Sequence, residues 1–70
     1  MKPLQGKRLE IVEFIQIYTN CHGYAPSVRE IGKAVGLAST SSVQNYLIQL
    51  QEAGVLTKKS SSARTIKLLV

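Results

Sequence analysis

Between Ser39 and Gln51 the chain reads STSSVQNYLIQLQ, a run of hydroxyls and carboxamides with no charged side chain. Val43, Leu47 and Leu50 recur at helical spacing, with Tyr46 on the flank. At roughly 100° per residue, Ser41, Ser42, Asn45, Ile48, Gln49 and Glu52 turn away from that stripe, and Gln44 lies to one side. Hydroxyls and carboxamides donate and accept hydrogen bonds at once, which is what reading the edges of base pairs requires. The same pattern also suits a helical hairpin that simply turns a polar face to water, so these residues alone leave both readings open.

A second candidate for chemistry is the adjacent pair Cys21 and His22. A zinc site needs about four ligands at matching spacing, and the chain holds one cysteine and one histidine in total. A cysteine nucleophile needs a base and a third group to orient it, and no such arrangement is present in the sequence. Neither a metal, a cofactor nor an enzymatic activity is expected. The lone Cys21 cannot close an internal disulfide, and the sequence shows no signal peptide, which points to a reducing cytoplasm.

The polar run needs a scaffold, and the sequence supplies one on each side. Before it, Ser27 and Glu30 make an S-x-x-E capping box at the start of a helix over 27–35. Val28, Ile31 and Val35 give that helix one apolar face, and Gly36 can take the left-handed conformation that ends it. The polar run is then a helix over 40–53, capped by Ser39 or Thr40 and closed by Gly54. Two helices joined by a short glycine-containing turn make a helix-turn-helix. Upstream, Ile11, Phe14, Ile15 and Tyr18 mark a first helix over 7–19 by their spacing. Leu4 is expected to pack on the core, Ile17 to lie on the surface, and NCHGYAP at Asn20–Pro26 to be a loop with Tyr24 packed over it.

After Gly54 the period changes. VLTKK at Val55–Lys59 and TIKLL at Thr65–Leu69 are strand candidates flanking a turn at Ser60–Arg64, with Ile66 and Leu68 on one face. Three helices followed by this hairpin, the wing over 55–69, give a mainly α fold with a small β-hairpin, a three-helix winged helix-turn-helix. From Ala53 onward the charged residues are Lys58, Lys59, Arg64 and Lys67, all basic. Edge lysines that block aggregation would account for some of them, but contact with phosphate strands also accounts for the lack of acids.

Composition agrees with a polyanionic partner. The 70 residues carry a net charge of +5, and their 44% hydrophobic content is that of one folded domain with a small core. Aromatic residues make up 6%, too few for a platform that stacks single-stranded bases. No apolar run is long enough to cross a bilayer.

GYAPSVREIGKAVGLASTSSVQNYLIQLQEAGVL, followed by ARTIKLL, resembles the N-terminal DNA-binding domain of the LexA repressors of the SOS response. The resemblance runs from about Leu4 to Leu69. Its most specific parts are PSVREIG at Pro26–Gly32, GLAS at Gly36–Ser39 with SSV after it, and Gly54-Val55-Leu56. It implies a bacterial, cytoplasmic, sequence-specific repressor of DNA-damage, repair and replication genes that binds a palindromic double-stranded operator as a dimer. By resemblance Ser39, Ser41, Ser42, Gln44 and Asn45 face the bases, and Arg64 sits on the wing. Lys7 and Arg8 match positions near the phosphates. Arg29, Lys33, Lys58 and Lys59 are expected to line the backbone or minor groove as well.

Three features depart from the family pattern. Ala53, after Glu52, stands where a basic residue is frequent before the wing glycine. Ile48 replaces a residue that is more often polar or small, and a thymine methyl would suit it. The self-cleaving Ser/Lys domain, through which LexA repressors dimerise and respond to RecA, has no counterpart here, so the chain is expected to be an excised domain, monomeric on its own. A stand-alone phage or plasmid regulator and a winged-helix protein-interaction module are the alternative functions.

Overall fold

The computed structural model describes residues 6–58 and 66–69. Helix α1 spans Lys7–His22, α2 Val28–Val35 and α3 Thr40–Glu52, followed by strands β1 at Leu56–Thr57 and β2 at Lys67–Leu68. The strands pair antiparallel with Leu56 opposite Leu68 and Thr57 opposite Lys67. The ladder gains one further bond where the Leu69 N–H donates to the Val55 carbonyl at 2.8 Å. This is the three-helix winged helix-turn-helix. Each described strand is shorter than its candidate segment; Leu4, Lys59, the Ser60–Arg64 turn and Thr65 lie outside the described residues.

α1 continues to His22, three residues past its expected end at Thr19, so Asn20, Cys21 and His22 are helical and not loop. The physical reason is the spacing of Tyr18 and His22, four apart on one helical face. Their rings stack with centroids 4.1 Å apart. Tyr24 then sets its ring edge-on to Tyr18 at 5.9 Å, over the short connection. Ile17, off the apolar stripe, is 62% exposed.

α2 begins with the capping box in full. The Ser27 hydroxyl oxygen accepts from the Glu30 N–H at 3.2 Å, and Glu30 Oε1 accepts from the Ser27 N–H at 2.8 Å. The second carboxylate oxygen of Glu30 accepts from the Tyr18 hydroxyl at 2.8 Å, which ties α1 to the start of α2. Glu30 therefore closes a helix end and joins two helices at once.

Ile11, Val12 and Ile15 of α1, Ile31 and Val35 of α2, and Val43, Leu47 and Leu50 of α3 form the core with Ala25, Val55, Leu56 and Ile66. α3 ends in a Schellman turn: the Val55 N–H donates to Leu50 O at 3.0 Å and the Gly54 N–H to Gln51 O at 3.1 Å. Gly54 has φ +77°, a conformation other side chains rarely adopt. The turn drops Val55 and Leu56 straight from the helix into the core, where each is 1% exposed.

Ser27→Ala should lower unfolding stability by about 1 kcal/mol, the usual cost of a lost N-cap. Glu30→Ala should cost more, because it also releases Tyr18. Urea denaturation of the two variants checks the order.

Candidate nucleic-acid interface

The inner face of α3 holds its outer face in place. Val43, Leu47 and Leu50 are all fully buried, and Tyr46 is half-buried beside them. Ser39 caps the helix, its hydroxyl oxygen accepting from the Ser41 N–H at 3.2 Å. Of the five residues expected to read bases, Ser39, Ser41, Gln44 and Asn45 are exposed and Ser42 is half-buried. They stand together over the first two turns of one helix. Ile48, at 48% exposure, continues the same outward surface.

The basic residues lie outside α3. Arg29 and Lys33 are exposed one turn apart on α2, Lys67 is exposed on β2, and Lys58 is half-buried just after β1. Lys59 and Arg64, the remaining wing cations, lie outside the described residues. Lys7 and Arg8 both have partners within the fold, which the sequence did not indicate. The Lys7 ammonium donates to the Val35 carbonyl at 2.6 Å and lies 3.5 Å from the Glu10 carboxylate. A cation on the last carbonyl of α2 also meets the negative end of that helix. Arg8 reaches across to α3, where its Nε donates to Gln49 Oε1 at 2.8 Å and its Nη2 donates to the same oxygen. The helical spacing puts Gln49 on the outward face without indicating this partner. Its partner lies 41 positions away in sequence, beyond the reach of any local pattern.

Among the described residues no three of His, Cys, Asp and Glu gather where a metal ion would sit. A cavity of about 250 Å³ lies between α1 and β2, lined by Gln16, Thr19, Asn20, Ile66, Lys67 and Leu68. Its polar groups are the carboxamides of Gln16 and Asn20, the hydroxyl of Thr19 and the ammonium of Lys67. Also among the described residues, no helix is long and apolar enough to cross a membrane.

Residues 1–65 match the family described as the LexA DNA binding domain. The chain belongs to that family. It is 48% identical over 65 residues to the LexA repressor of Clostridium novyi (strain NT), covering 93% of this chain and 32% of that protein. Against the LexA repressor of Bacillus subtilis (strain 168) it is 42% identical over 69 residues, covering 99% of this chain and 34% of that protein. The LexA-type domain thus spans about a third of the length of the curated relatives it matches. The matched segment takes in both helices of the turn motif.

Lys7→Met should cost the LexA-type domain about 0.5–1.5 kcal/mol of stability, the net worth of one hydrogen bond, with its half-exposed setting favouring the lower end. Thermal unfolding at low and high salt checks this. The difference from wild type should narrow as salt screens the ammonium.

Proposed function

We propose that this chain is the operator-binding part of a LexA-type transcriptional repressor of the SOS (DNA damage) regulon. The observation that carries the reading is an uncharged hydrogen-bonding face on the first turns of α3, backed by the core, with cations on α1, α2 and the wing. An α-helix is about 10–12 Å across with its side chains, and the major groove of B-DNA is about 12 Å wide. α3 enters that groove with its N-terminal turns against the base edges. Ser39, Ser41, Ser42, Gln44 and Asn45 read bases there, and Ile48 packs on a thymine methyl.

Lys7, Arg8, Arg29, Lys33, Lys58, Lys59 and Arg64 hold the phosphates or reach the minor groove. These contacts fix orientation without conveying sequence. Repression is occupancy of the operator, with no bond made or broken by these residues. Two copies bind a palindromic operator as a dimer, with half-sites about one helical turn, ~34–36 Å, or a multiple of it apart. A response to RecA, self-cleavage and dimerisation away from DNA would belong to a further domain outside these 70 residues. On its own the 70-residue chain is a monomer. Sedimentation without DNA should give the monomer mass, and a tight dimer would refute that.

Asn45 is the sharpest test of base reading. Its carboxamide can donate and accept together, which matches the N6 and N7 edge of adenine. Asn45→Ala should cost about 1–3 kcal/mol on the preferred operator and relax choice at one base pair per half-site. Stability should change by less than about 0.5 kcal/mol, since the side chain is exposed. The check is a titration against operators changed singly at each half-site position. An equal loss at every position would mean that Asn45 orients the helix and does not read a base.

A further inference from the structure

The link between Arg8 and Gln49 leaves a surface of donors. An arginine side chain has N–H groups and no acceptor, so the atom facing it must be the oxygen of the Gln49 carboxamide. Nε and Nη2 of Arg8 both donate to that one oxygen. The Gln49 amide nitrogen is thereby turned away from the guanidinium with its two N–H groups outward. Neither those N–H groups nor the remaining ones of Arg8 have an acceptor among the described residues, and both side chains are exposed. A paired, donor-only surface with one positive charge suits the oxygens of a phosphodiester.

Its location on the fold suits the same ligand. Gln49 lies four residues after Asn45, so the two share a face of α3, and it stands about 6 Å further along the axis. Arg8 comes to this point from the first turn of α1. We infer that Arg8 and Gln49 form a single phosphate clamp at the rim of the α3 groove, in which Arg8 orients the Gln49 amide toward the DNA backbone. This rests on the DNA-binding reading above and adds Gln49 as a phosphate-contacting residue whose amide is oriented by Arg8. The clamp ties the start of α1 to the register of α3 on the duplex.

The test is a double-mutant cycle with Arg8→Met and Gln49→Met on the 70-residue chain, titrated at several low salt concentrations with a labelled duplex of mixed sequence. A phosphate contact is independent of sequence, so no operator is needed. Gln49→Met carries no change of charge and should weaken binding about two- to ten-fold, the range of one net hydrogen bond. Arg8→Met should lower the slope of log affinity against log salt by about 0.9. In the Arg8→Met background, Gln49→Met should change affinity less than about two-fold, because the amide has lost what orients it. In the wild type, the side-chain amide resonances of Gln49 should shift on adding duplex and stay put on adding inorganic phosphate alone at the same ionic strength.

Equal affinity of Gln49→Met and wild type, with only the melting temperature altered, would overturn the clamp and leave the pair a tie between helices. The same fold-loss from Gln49→Met in both backgrounds would overturn the coupling. Wild-type chain that binds no duplex even at the lowest salt would remove the DNA-binding reading and the clamp together. Duplex binding that is insensitive to both substitutions would remove the clamp alone.

Discussion

The seam between α2 and α3 is the constraint on which the rest depends, and its tightest point is Gly32. A Cβ there would stand 3.0 Å from the Leu37 carbonyl oxygen and 3.2 Å from Val43 Cγ2. The glycine therefore lets α2 lie against both the turn and the first inward side chain of α3. The turn itself folds back onto the same residue, the Leu37 N–H donating to Gly32 O at 2.8 Å. Gly36, with φ +76°, makes that reversal possible. Because Val43 is fully buried at this contact, the rotation of α3 about its own axis is fixed at its first turn. Every outward residue that follows takes its direction from there.

α1 braces this pair from both ends of α2. Its first turn places the Lys7 ammonium on the last carbonyl of α2, and its later turns place the Tyr18 hydroxyl on the Glu30 carboxylate near the start. Between these ties Ile11 and Ile15 meet Ile31 in the core. A small domain has little apolar area to spend on rigidity. Polar ties at the two ends of a short helix restrict its tilt in a way that nondirectional burial does not.

The elements legible in the sequence were those specified by neighbours in the chain. The capping box of Ser27 and Glu30, the stripes Ile31–Val35 and Val43–Leu47–Leu50, and the breaks at Gly36 and Gly54 are all short-range signals, and each is present in the fold. The last turn of α1 is not legible because Gly23 and Pro26 read as punctuation of a longer loop, while the ring contact of Tyr18 with His22 that sustains that turn is a packing effect. The outward residues of the candidate site were legible for the same reason as the core, being its complement on one helix. Ties such as Arg8 to Gln49 and Lys7 to Val35 join positions 41 and 28 apart. Nothing local marks them, and by resemblance both cations are expected near the phosphates.

On the DNA-binding reading, the placement of charge divides the work. α3 has no acidic residue in its first turn and no basic residue in its last, so the partial positive charge of its N-terminus is not offset by a carboxylate. α3 carries no cationic side chain of its own, so full positive charge comes from neighbouring elements, from Arg29 and Lys33 on α2, from Arg8 on α1 and from the basic wing. Two of the four acids are engaged within the fold, Glu30 in the capping box and Glu10 beside Lys7, while Glu13 and Glu52 are exposed. Salt acts on the cations and leaves the hydrogen bonds of Asn45 or Gln44 to base edges largely untouched. Affinity would thus vary with ionic strength, while the choice among sequences stays with a helix face whose direction is set at Gly32.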